Sequence, residues 1–253
     1  MTDQKALARD LLLWWEQAES EPSEKVRALL LLRFVQPEKS WDELTSMSVG
    51  QRDRWLLALR DRYLGSQLPL YGECPRCGGA IELVVASAAL EATQTAVHKS
   101  EWGQSVHRLE IGNTIVDFRL PNSADLKAAE RLGDVEAARQ LLFDRCVIEA
   151  VDEEGSPLPA NRLPEAVRQE IENEMERLDP LAVVRMNLDC PSCSFQWQAR
   201  IDLSEIIGAE LSIRARRLLG EIAALAQIYH WSEESILAMS SRRRRMYLEL
   251  RRS

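Results

Sequence analysis

Four of the five cysteines stand in two Cys-Pro-x-Cys pairs, Cys74-Pro75-Arg76-Cys77 and Cys190-Pro191-Ser192-Cys193, with 112 residues between Cys77 and Cys190. This spacing constrains the fold more than any other feature. A Cys-x-x-Cys turn presents two sulfurs to one ion, and two such turns complete the four-thiolate shell of a structural zinc site. The two knuckles must then meet in space, and the chain between them becomes a long insertion inside a split zinc ribbon. Chain entropy makes so long a loop costly to close without the metal. The expected ligands are Cys74, Cys77, Cys190 and Cys193, and the expected cofactor is structural Zn2+. A closed thiolate shell leaves no open position to activate water, which points to a scaffold or binding protein.

The alternatives are metal-free reduced cysteines or a thiol oxidoreductase. A redox cysteine usually sits at a helix N-terminus that lowers its pKa. Here Gly78-Gly79 and then the alternating Ile81, Leu83 and Val85 follow the first pair, and Phe195, Trp197, Ala199 and Ile201 alternate after the second. Both knuckles therefore lead into strands. Cys146, in the apolar stretch 141–148, reads as a small buried hydrophobe.

The chain has 253 residues, 45% of them apolar, enough for one large domain or two small ones. The start leads into an amphipathic helix with no secretory h-region, and the apolar runs, such as Leu11 to Trp15, fall far short of a membrane span. The expectation is a cytoplasmic, reduced protein. A formal net charge of −8 argues against general nucleic-acid coating.

The expected class is α+β, mostly helical, in three regions. Residues 1–70 form an N-terminal helical region, with Leu7, Leu11, Trp14 and Ala18 at helical spacing, a helix from Ser23 or Glu24, and another over Gln51 to Leu64 ended by Gly65. Residues 71–202 hold the split ribbon. Inside it lie a hairpin turning at Gly112-Asn113, a helix capped by Asn122 or Ser123, another over Asp134 to about Ile148, and one from Pro164 to Leu178. Residues 203–253 form a C-terminal helical region, with Leu211, Ala215, Leu218, Ile222, Leu225 and Tyr229 as a heptad-like seam. An internal echo links Trp41-Asp42-Glu43, Met47-Ser48 and Arg52 with Trp231-Ser232-Glu233, Met239-Ser240 and Arg244.

No catalytic constellation is visible. His98, His107 and His230 are not at metal-pair or triad spacing, and neither a Gly-rich phosphate loop nor a nucleophile elbow is present. The sharpest charge feature is Arg242-Arg243-Arg244-Arg245, with Arg251 and Arg252 beyond. It reads as a solvated helical face, or with Trp231 as a contact for a protein partner. The rival function is a zinc-ribbon nucleic-acid binder using these arginines.

Four stretches carry a family resemblance: Gly50-Gln51-Arg52-Asp53 leading into the first knuckle; Phe118 to Leu126 followed by Ala137 to Leu142 and Arg145-Cys146-Val147; Asp179-Pro180-Leu181 running into the second knuckle; and Ala215 to Leu219 with Tyr229 to Glu233 and Arg242 to Leu250. Together they make the chain resemble the T-even phage baseplate protein family, in a zinc-knuckle form associated with contractile injection systems and phage tails. The resemblance implies work at the baseplate hub, as a built-in part or as an assembly factor. The implied partners are hub and spike proteins, with no membrane and no small-molecule substrate. The implied location is the cytoplasm during assembly or the tail particle itself.

Overall fold

The computed structural model describes residues 3–92 and 105–250. Four helices open the chain: α1 (Asp3–Ser20), α2 (Glu24–Val35), α3 (Trp41–Ser46) and α4 (Val49–Leu64). Ser40 and Ser48 each close a capping box, on Glu43 and Gln51 respectively. These boxes satisfy the first-turn N–H groups and explain why α4 begins at Val49, before the expected Gln51. A hairpin follows, β1 (Gln67–Glu73) and β2 (Ala80–Ala86), then α5 (Ser87–Ala92).

The insertion is built from β3 (His107–Ile111), β4 (Thr114–Phe118), α6 (Ser123–Glu130), α7 (Val135–Cys146), β5 (Val147–Val151) and α8 (Glu165–Leu178). Its three strands form one antiparallel sheet in the order β3-β4-β5. The helix expected to reach Ile148 stops at Cys146, and the chain becomes β5, because the β-branched Val147 and Val151 flank a run that pairs with β4. Phe118, Val116, Phe143, Ala150, Val167 and Ile171 give this part its own core.

A second hairpin, β6 (Val184–Asp189) and β7 (Gln196–Ile201), precedes the long α9 (Leu203–Tyr229), then α10 (Glu233–Leu237) and α11 (Ser241–Glu249). The seam on α9 is buried from Leu211 through Leu225. Its N-terminal half joins the main core with Trp14, Leu32, Leu44, Leu56 and Leu57, and its C-terminal half packs on α1, α10 and α11. The architecture is α+β and mostly helical. No helix among the described residues is long and apolar enough to cross a membrane.

The two echoed segments adopt the same local structure. In each, a serine (Ser40, Ser232) caps a short helix, a second serine eight positions on (Ser48, Ser240) caps the next, an aliphatic side chain between them is fully buried (Leu44, Ile236), and the arginine four beyond the second serine is buried (Arg52, Arg244).

Candidate metal centre

The first knuckle is the tip of the β1–β2 hairpin and the second is the tip of β6–β7. The alternating runs predict the strands that follow each knuckle, and each hairpin adds a strand before it. β1 was missed because Pro69 and Gly72 interrupt it, which a two-stranded ribbon with free edges tolerates. The two tips share one hydrogen-bond pattern. Cys74 N–H donates to the Gly79 carbonyl and Gly78 N–H to Cys74; Cys190 N–H donates to Phe195 and Ser194 N–H to Cys190, each at 2.9 Å. The fifth residue of each turn takes a left-handed conformation, Gly78 at φ 68° and Ser194 at φ 55°. Glycine adopts this freely and serine does so at a cost.

The hairpin bases are pinned to one helical body, which makes the tips converge. Before β1, buried Arg60 donates to the Gly65 carbonyl, to the Gln67 carbonyl at 2.7 Å and to Glu210 of α9 at 2.8 Å. Before β6, the Asp179 carboxylate accepts from Gly50 N–H at 2.9 Å on the first turn of α4. A Cβ on Gly50 would lie 2.0 Å from Asp179 Oδ1, so only glycine fits there. After β7, Asp202 caps α9 and pairs with Lys25 of α2 at 2.6 Å. Leu68 and Leu70 of β1, with Val184 and Met186 of β6, continue into the main core.

All four sulfurs of Cys74, Cys77, Cys190 and Cys193 lie within 4.8 Å of one another. The cross-knuckle distances are 3.7 Å for Cys74–Cys193 and 3.6 Å for Cys77–Cys190. A disulfide would need about 2.05 Å. A tetrahedral ion with thiolates at about 2.3 Å places its ligands about 3.8 Å apart, so the set fits one ion. Cys74 and Cys190 are buried and Cys77 is exposed, so the ion would lie near the surface. Burial pushes the Cys190 thiol up, and the N–H groups of Cys193 and Ser192 with the neighbouring thiols outweigh it, bringing it down to about 6. Cys193 goes the other way, to about 12; the Phe195 N–H favours its thiolate, but burial and the other three sulfurs oppose a second negative charge. A dication would relieve that crowding of charge. The four residues could hold a metal ion, and their closed shell offers no site for a reacting ligand.

The surroundings are apolar and link the tips. Phe195 and Trp197 stack at 6.1 Å, and the Arg76 guanidinium of the first knuckle lies 5.9 Å from the Phe195 ring of the second. Gly79 is packed close, since a Cβ there would meet Ser192 Oγ at 3.2 Å and Cys77 Sγ at 3.3 Å.

The arginine run is corrected in one member. Arg244 is buried, donating to Glu221 at 3.0 Å and to the Met239 carbonyl at 2.8 Å, so it is internal structure and not a partner contact. Arg242, Arg243 and Arg245 are exposed. Trp231 is half-buried in an aromatic cluster, stacked on Tyr229 at 4.5 Å and edge-on to Tyr247 at 4.9 Å. His107 rests against Phe118, with burial lowering its pKa, and His230 is the left-handed C-cap of α9. Cys146 is fully buried, its thiol pushed up to about 12 by burial. His98, Arg251 and Arg252 lie outside the described residues.

Sequence reasoning missed a buried ionic network. Asp125, with no exposed side-chain surface, accepts from Arg119 at 2.5 and 2.9 Å and from Arg145 at 2.6 Å, joining the segment just after β4 to α6 and α7. Arg52 pairs with Asp53 at 2.7 Å, and both are buried. The available signal was a charged residue on an apolar helix face, as at Arg52 and Arg60, which flank Trp55-Leu56-Leu57 and Leu59.

No family model matches the chain, and neither a curated protein nor a solved structure matches it.

Proposed function

We propose that this protein is a non-enzymatic baseplate component, or a hub-assembly factor, of a contractile phage tail or tail-like injection machine, clasped by structural zinc. The observation that carries the zinc reading is the convergence of four thiols at tetrahedral spacing from two hairpins more than a hundred residues apart. Soft thiolates in a closed four-coordinate shell suit zinc. What supports the baseplate reading is the sequence resemblance, and three of its four stretches meet at one place in the fold. Gly50 N–H on α4 donates to the Asp179 carboxylate, while Val49 N–H donates to the Pro121 carbonyl at 3.0 Å. Three of the stretches that carry the resemblance thus contribute contacts between the helical body, the insertion and the segment before the second hairpin.

The test is quantitative mass spectrometry of purified tail or injection particles from the native host, with zinc measured on the same protein. Stoichiometric presence in particles identifies a permanent component. Absence from particles, with hub intermediates accumulating in a deletion strain, identifies an assembly factor. Intact, functional tails in a deletion strain refute both. A purified chain without zinc, and unchanged in melting after chelation, refutes the clasp.

A further inference from the structure

A cleft of about 560 Å3 opens between α1, α4, α9 and α11. Its floor is apolar: Leu11, Trp14, Leu59, Tyr63, Leu211 and Leu218. Its polar groups do not converge on a ligand. Glu210 is taken by Arg60 and Glu221 by Arg244. A small-molecule site normally aims a few free polar groups inward, and this floor aims none. Around the rim Arg214, Arg217 and Arg245 are exposed; Arg214 and Arg217 stand 4.0 and 3.8 Å from Glu210 and Glu221, carboxylates that Arg60 and Arg244 hold more closely, and Asp10 adds a third carboxylate. With Arg244, four arginines line the cleft against three carboxylates, a small local positive excess on a chain of formal charge −8.

The repeated helix pair supplies a second, independent observation. In its first copy the opening turn of the capped helix is covered by this chain's own segments: Asp179 places a carboxylate on Gly50 N–H, and Pro121 accepts from Val49 N–H. In the second copy the matching turn, Ser240 and Ser241, lines the open cleft instead. The position matching Gly50 is Arg242, and the positions matching Gln51 and Asp53 are Arg243 and Arg245. An uncovered helix start flanked by arginines favours a carboxylate.

We propose that this cleft is the docking groove for an acidic amphipathic helix of a partner protein, its apolar face on the leucine and tryptophan floor and its carboxylates on Arg214, Arg217, Arg245 and the first turn of α11. Helix-in-groove recognition places apolar anchors at helical spacing into such a channel, and rim charges of opposite sign set its orientation. This deepens the reading of the chain as a binding component, and on that reading the partner is a tail protein.

A photo-crosslinking residue at the exposed Ile213, which lines the rim, tests it in the full-length protein in the native host. Mass spectrometry of the linked peptide should find a net-acidic segment with apolar residues at helical spacing. Its yield should fall about tenfold when Arg214, Arg217 and Arg245 are all changed to Gln, the equivalent of about 1.4 kcal/mol. An Arg200→Gln control on the second hairpin should leave it unchanged. A circular dichroism melt of each variant confirms that the fold survives the change. An acidic helix from a protein outside the tail keeps the groove and refutes the baseplate reading. A basic or non-helical tail segment, a second copy of this chain, nucleic acid, or no crosslink overturns the groove.

Discussion

The insertion and the ribbon that brackets it solve the same problem by different physics. The insertion buries Phe118, Val116, Phe143 and Ile171 between a three-stranded sheet and two helices. The ribbon's own cluster is Cys74, Ile81 and Cys190, with Leu83, Phe195 and Trp197 only partly covered. An apolar core of the first kind stabilises itself by burial. The second cannot, because two isolated two-stranded hairpins are marginal in water. The ribbon therefore rests on its pinned bases, and an ion held by its four thiols would add the link between the tips. An ion held by these four thiols would join two hairpin tips whose bases are already fixed, and would not have to build a domain from nothing.

That contrast is most exposed by removing the four-thiol set. We predict that Cys74→Ser or Cys190→Ser abolishes zinc binding and separates the tips. Hydrogen exchange should rise across 67–86 and 184–201 while β3, β4 and β5 stay protected. Loss of protection in the insertion at the same time would break the comparison. Phe118→Ala should do the converse, costing about 3–5 kcal/mol in the insertion's core while stoichiometric zinc is retained. Metal analysis alongside a denaturant titration checks it, and coordinate loss of zinc would show that the two regions unfold as one.

The next effect is set by pH. Burial raises the Asp125 carboxyl, and the hydrogen bonds from Arg119, Arg145 and the Asn122 N–H outweigh it, so its pKa lies below the ordinary aspartate value. A group depressed in the folded state contributes stability above its unfolded pKa of about 3.9, and that contribution is lost as pH falls through the folded value. Asp125→Asn should cost about 3 kcal/mol at neutral pH, because it leaves Arg119 without its charge partner in a site the solvent barely reaches. The penalty should shrink as pH falls below the unfolded value and through the depressed folded one, read from paired denaturation curves. A penalty independent of pH would show that the aspartate acts by shape and not by charge.

The smallest effect compares the knuckles with each other. Gly78 and Ser194 hold the same left-handed position. Gly78→Ala should cost about 1 kcal/mol, while Ser194→Gly should be neutral or stabilise by a few tenths. Equal effects of the same sign would mean that the turns are not equivalent.

Much of this was legible in the primary structure because it is local. The paired cysteines, the hairpin at Gly112-Asn113, the α9 seam and the helix cap at Asn122 are patterns over a few residues, set by turn geometry and helical period. The α+β class and the four-sulfur set follow from them. β1 escaped because Pro69 and Gly72 contradict strand propensity, and only its pairing with β2 overrides that. β5 escaped because an apolar run after a helix has no local marker of where the helix must stop.

What the tertiary structure alone decided is which charges are interior. Arg242 to Arg245 are four identical letters, yet only Arg244 turns inward to Glu221, because a helix turns 100° per residue and one side of it meets α9. Gly50 is likewise one glycine among eleven until Asp179, 129 positions away, is found against its amide. Sequence specifies periods and turns; which polar group receives which partner depends on distant segments arriving together, and no local pattern encodes that arrival.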